Sequence, residues 1–183
     1  MAGHGFVSAF GNIEWLPEPG RTPDSAWYSL DTWQEEGKLL LARDPEAKTR
    51  LCLSFARKKL AELEAMVKAE NAAAAEMAAS GYQAYVERAQ RIISDTTEPA
   101  AKEALSETLA NALLEHQYIL SVIYTDLPAG TRMVVPRVIA MAQERYQNIS
   151  KLLSPKKKGA LFFKEEEVRW SVEMATRTEE ENP

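Results

Sequence analysis

The side chains best suited to chemistry are few and scattered. His4 and His116 are the only histidines, and Cys52 the only cysteine, in 183 residues. A carboxylate-type metal centre on helices needs Glu-x-x-His pairs, so that acid and imidazole project from one face into a shared site. This chain has none. Glu115 and His116 are neighbours, which on a helix sets their side chains about 100° apart, on different faces. Acyl transfer needs a serine or cysteine with a histidine base in hydrogen-bond reach, and only His116 lies in a stretch expected to fold. It reads as a satisfied or exposed histidine. Cys52 sits in an apolar helical stretch, which suits a small buried hydrophobe better than a reactive thiol. A lone cysteine forms no intramolecular disulfide and leaves the redox character of the compartment open. There is no glycine-rich phosphate loop, and the carboxylates are spaced as on solvated helix faces. No catalytic residue, metal or cofactor is therefore expected.

The residues suited to binding are more numerous. Trp15, Trp27 and Trp33, with Tyr28, form the densest aromatic group. Large rings with one polar handle serve either the packing of a first helix on its neighbours or the core of a protein interface. Phe6 and Phe10 ahead of them, and Leu161, Phe162, Phe163 and Trp170 near the end, extend the candidate protein interface. Lys156-Lys157-Lys158 beside Leu161, Phe162 and Phe163 could touch an anionic membrane surface, basic charge drawing headgroups while aromatics enter the interface. A solvated turn followed by a docked segment is the plainer account, and the acids that follow oppose membrane contact.

The positioning elements follow from length and pattern. The chain fits one domain, or a domain with a tail, and its 45% hydrophobic and 27% charged residues are an ordinary globular balance. A net charge of -5 and a pI near 5.2 argue against nucleic acid, which needs a basic surface to displace counterions from phosphates. No run approaches the roughly 20 apolar residues that cross a bilayer. Met1–Gly11 lacks the charged and apolar regions of a signal peptide, so any targeting segment is expected to have been removed ahead of Met1.

Residues 1–24 carry four glycines and three prolines, which break helices and central strands. Their apolar residues predict a segment lying along a groove of the bundle or on another protein. A first helix is predicted from Asp24 or Ser25 to about Ala42, with Trp27, Leu30, Trp33, Leu40 and Leu41 at helical spacing. Asp44-Pro45-Glu46 starts a second, with Leu53, Ala56, Leu60, Leu63 and Val67 inward and Lys58, Lys59, Glu62 and Glu64 toward solvent. The alanine-rich run from Ala69 to Ala79 favours continued helix, and Ser80-Gly81 is the predicted stop. A third helix carries Tyr82, Tyr85, Val86, Ala89, Ile92 and Ile93. A fourth opens at Thr96-Thr97-Glu98-Pro99 and stops before Leu127, and a fifth ends near Leu153. Ser154–Gly159 is predicted to close the bundle, with a short helix from Lys164 to Ala175 and an acidic, mobile end.

Pro23-Asp24-Ser25-Ala26-Trp27-Tyr28-Ser29-Leu30, then Trp33 and Glu36, Asp44-Pro45-Glu46-Ala47-Lys48 and Ala56-Arg57-Lys58-Lys59-Leu60-Ala61-Glu62, resemble a family of unknown function found in exported bacterial and archaeal proteins. The resemblance covers roughly residues 16–93. Asp31 stands where that family tends to have lysine, and Lys59 where arginine is usual. The resemblance implies an exported helical domain, hence an extracytoplasmic location with a cytoplasmic one otherwise, and transfers no catalytic residue.

The expected fold is all-α, an antiparallel bundle of about five helices over residues 25–154, with an irregular segment at 1–24 and a tail at 155–183. The expected role is a non-catalytic protein-binding or assembly subunit, peripheral to a larger complex. A bundle holding an apolar ligand or pigment, lined by Met66, Met77, Met133 and Met141, is the second reading, and an enzyme the third.

Overall fold

A computed structural model describes residues 8–11, 13 and 15–180, without the side chains at 176 and 178–180. His4 and the candidate interface residue Phe6 lie outside the described residues. Those residues form six helices and no strand: α1 (Tyr28–Leu41), α2 (Pro45–Lys68), α3 (Ala72–Asp95), α4 (Pro99–Tyr124), α5 (Val134–Ser150) and α6 (Pro155–Glu180). The fold is a helical bundle, with one helix more than the predicted five.

Proline and acid punctuation works as the sequence implies. The Ala47 amide donates to Asp44 Oδ1 at 2.7 Å ahead of Pro45, and Glu98 accepts from the Ala100 amide at 3.0 Å and from that of Ala101 ahead of Pro99. Such caps satisfy amides that the first turn leaves free. The start of α1 differs: Trp27 is the cap residue and makes no side-chain cap, while Asp24 accepts from the Thr22 hydroxyl and Ser25 from the Trp27 amide.

The break between the second and third helices lies ten residues before the predicted Ser80-Gly81. At the end of α2 the Asn71 amide donates to Met66 O at 2.9 Å and that of Glu70 to Val67 O at 3.0 Å, with Glu70 at φ 55. This is the reciprocal C-terminal motif in which a left-handed residue, usually glycine, reverses the chain. Asn71 Oδ1 then caps α3 by accepting from Ala74. Alanine content favours helix on both sides and marks no boundary. The stop is made by backbone geometry that a glutamate happens to adopt.

The expected tail is the 26-residue helix α6. Ser154-Pro155 begins it instead of closing the bundle. Leu161, Val168 and Ala175 recur every seven residues and are buried, and Ser171 Oγ lies 2.6 Å from Ser121 Oγ of α4. The core is built chiefly where α2 meets α3 and where α4 meets α5 and α6, with Leu60, Leu63, Ile93, Leu109, Leu113 and Leu120 fully buried. Phe10 of the irregular N-terminal segment stacks on Tyr118 at 4.9 Å, and the Ala9 amide donates to Glu167 at 2.6 Å. Ala9 and Phe10 thus lie against α6 and α4.

Candidate functional site

Helix α1 is inside out. At about 100° per residue, Asp31, Glu35 and Leu39 share one sector, and Leu30, Trp33, Gly37, Leu40 and Leu41 share the opposite one. The acidic sector faces the bundle. Glu35 and Leu39 are the only buried residues of α1, whereas Trp33 is 82% exposed, Leu40 79% and Leu41 81%, with Trp27 at 64% adjoining them. An ordinary surface helix does the reverse.

What draws the acids inward is a pair of lysines on α2. Lys58 Nζ donates to Asp31 and Glu35, each at 2.7 Å. Lys59 Nζ donates to Glu62 at 2.9 Å and to Tyr28 Oη at 3.1 Å, and stands 3.5 Å from Glu35. Tyr28 in turn donates to Glu62 at 3.0 Å, and Tyr85 of α3 donates to Glu35 at 2.7 Å. Lys59 and Glu62 belong to the buried core, so their predicted placement toward solvent is corrected. The physical reason is mutual satisfaction: each charge leaves water only because the others replace its hydration.

Burial opposes the Lys59 ammonium, but its bonds to Glu62 and Tyr28 and the charges of Glu62 and Glu35 hold its pKa above the ordinary lysine value. Burial raises the Glu62 carboxyl, against the pull of Lys59 and Tyr28. Burial and the Glu35 carboxylate push the Tyr85 hydroxyl up, so it remains a donor. A lysine kept protonated is no nucleophile. The cluster therefore works as a clamp that fixes α1 on α2 and α3.

Gly81 makes room for the clamp. A Cβ there would meet Lys59 Cδ at 3.1 Å and Cγ at 3.3 Å, which accounts for a glycine inside α3. The overlooked signal in the sequence was spacing: Cys52, Ala56, Lys59, Leu63 and Met66 recur at intervals of four, three, four and three, so Lys59 occupies a core position of its own helix.

The other predicted residues scatter. Tyr28 belongs to the clamp, but Trp27 and Trp33 face solvent, so the packing of this aromatic group in the core is overturned for them. Trp15 is also exposed. Leu161 packs on α4 while Phe162 and Phe163 point outward, their rings 5.6 Å apart, and Lys157 pairs with Glu107 at 2.8 Å. The Lys156–Phe163 patch is thus divided between core and surface. Phe163 and Trp170, with Ser8, Ala9, Ala160, Lys164, Glu166 and Glu167, line an open groove of about 490 Å³. Of the methionines expected to line a ligand cavity, Met66 is buried and Met141 packs partly buried against the core, while Met77 and Met133 are exposed.

His116 is buried 3.1 Å from Tyr82 Oη through Nδ1. Burial, with the Arg57 charge nearby, lowers its pKa to about 3, leaving a neutral imidazole at physiological pH. Burial raises the Cys52 thiol to about 11, which suits a packing residue. Among the described residues no group of three or more His, Cys, Asp or Glu is placed to hold a metal ion. No helix among them is long and apolar enough to cross a membrane.

Fold and site together define an all-helical bundle whose first helix is clamped by a buried ion cluster and turns an apolar face outward. The chain belongs to the family described as a domain of unknown function (DUF5667), whose model matches residues 20–130, from ahead of α1 to the turn after α4. The match bears out the resemblance to a family of unknown function and carries it beyond residue 93. Neither curated proteins nor solved structures give a match to this chain.

Proposed function

We propose that this protein is a non-catalytic helical subunit that binds another protein through the outward face of α1. The observation that carries the reading is the charge-free apolar sector of that helix. None of its four charged residues, Asp31, Glu35, Glu36 and Lys38, falls among Leu30, Trp33, Gly37, Leu40 and Leu41. Trp27 and Trp33 belong to a residue type that buries about 150–250 Å² each. With three leucines beside them the face approaches the roughly 800 Å² per partner of a standard interface, above the roughly 300–600 Å² of the largest patch on an ordinary monomer. The clamp supports the same reading, since it holds the helix in the one orientation that presents this face.

Links of three residues between α2 and α3 and of four between α5 and α6 support an antiparallel course of consecutive helices. The resemblance to exported proteins supports an extracytoplasmic place in a larger assembly. Affinity capture from the native source with cell fractionation, comparing the natural chain with Trp33→Glu, tests both. A partner captured by the natural chain and lost by the variant is expected. Identical captures would remove α1 as the contact surface.

A further inference from the structure

The spacing within the outward face identifies its partner more closely. Leu30, Trp33, Gly37 and Leu40 are separated by three, four and three residues, the interval at which one helix offers a seam to another. Gly37 lies at the middle of that seam, and a Cβ there would meet nothing within 4 Å among the described residues. Glycine in a helix interior costs about 0.5–1 kcal/mol relative to alanine, and no neighbour among the described residues requires it here. A second helix backbone crossing at that point would. Helix axes pack about 8–10 Å apart depending on the side chains between them, and a glycine flanked by Trp33 and Leu40 gives the low point into which a crossing helix settles.

Charge narrows the choice of helix. The chain carries a net charge of -5, so two copies repel one another overall. The α1 face has no charge to repel or to be left unpaired, and a face that meets itself about a two-fold axis must be self-complementary in this sense. Its apolar area alone comes close to what one partner contributes to a stable dimer.

Resting on the protein-binding reading above, we infer that the outward face of α1 pairs with the same face of a second copy of this chain, the two α1 helices crossing at Gly37. Each Trp33 then covers the other copy's Leu30 or Leu40, and the clamp of Lys58, Lys59, Glu35 and Glu62 supports the interface from beneath.

Sedimentation equilibrium of the full chain through the high micromolar range tests this, with Trp33→Glu and Leu40→Glu as variants. Both side chains point to solvent, so the fold is retained, and far-ultraviolet circular dichroism checks it. A dimer is expected, weakened at least about thirtyfold by either substitution, as for loss of a buried interfacial hot spot. Gly37→Cys is expected to cross-link two copies under mild oxidation, whereas Phe163→Cys on α6 is not. A dimer indifferent to both α1 substitutions would overturn the inference, as would a natural chain that sediments as a monomer. In the monomeric case, a different protein captured in a Trp33-dependent way leaves the protein-binding reading standing. Trp33-dependent binding to phosphatidylcholine–phosphatidylglycerol vesicles, or no Trp33-dependent capture at all, removes that reading as well.

Discussion

Lys59 of α2 and Gly81 of α3 occupy one another's space: the aliphatic stem of the lysine runs where a side chain on residue 81 would stand, 3.1 Å from its Cβ position. A helix-interior glycine and a core lysine, each unfavourable alone, are one arrangement. The glycine lets the stem pass, and the stem delivers the ammonium to Glu62, Tyr28 and Glu35.

Gly81→Ala tests that dependence. Better helix propensity offers about 0.5–1 kcal/mol, but the methyl displaces Cγ and Cδ of a packed side chain and disturbs a buried charge pair. We expect a net loss of about 1 kcal/mol in urea unfolding. The same substitution in a Lys59→Ala background should become stabilising, because nothing then occupies the space.

Removing one partner of the buried pair should cost more than removing both. Lys59→Met and Glu62→Leu are each expected to lose about 3–5 kcal/mol, since each strands an opposite charge. The double variant should lose clearly less than the sum, and a double-mutant cycle on unfolding free energies measures the coupling. Additive losses would show that the two side chains act independently.

His116 sets an acid limit on stability. Its folded pKa, about 3, is depressed below the ordinary value of about 6.5. The unfolded chain therefore binds the proton first as pH falls, and stability is whole above about pH 6.5. It should decline from there toward pH 3 by up to about 1.4 kcal/mol per unit. His116→Gln, which cannot titrate, should flatten that part of the curve of unfolding free energy against pH.

Glu70 sits at φ 55, where a residue with a Cβ is strained by about 1–2 kcal/mol. Glu70→Gly should relieve this, less glycine's greater freedom in the unfolded chain. A gain of about 0.5–1 kcal/mol in thermal or urea unfolding is expected. A loss would mean that the glutamate side chain itself holds the turn.

The sequence made the helices legible wherever the cause was local. Asp44-Pro45 and Glu98-Pro99 start α2 and α4 by chemistry contained within a few residues, and the leucine stripes of α2 and α4 mark true core faces. It hid whatever depended on a distant partner. Lys59 and Glu62 read as solvent residues because their justification, Tyr28, Glu35 and Gly81, lies on other helices. The same omission reversed α1: its tryptophans and leucines pass for a core stripe until the lysines that draw Asp31 and Glu35 inward are seen. Ser80-Gly81 read as a stop because a glycine demanded by a side chain of another helix carries the same letter as one that ends its own.

All four tryptophans, at positions 15, 27, 33 and 170, are more than half exposed, whereas Tyr82, Tyr85, Tyr124 and Tyr146 are buried. Indole emission moves to longer wavelength in polar solvent, so the folded monomer should already fluoresce nearly as the denatured chain does. Optical probes would then divide by residue type, with tyrosine absorbance following loss of the core. Tryptophan emission would stay almost silent as the monomer unfolds, and would shift to the blue when two copies cover the α1 face.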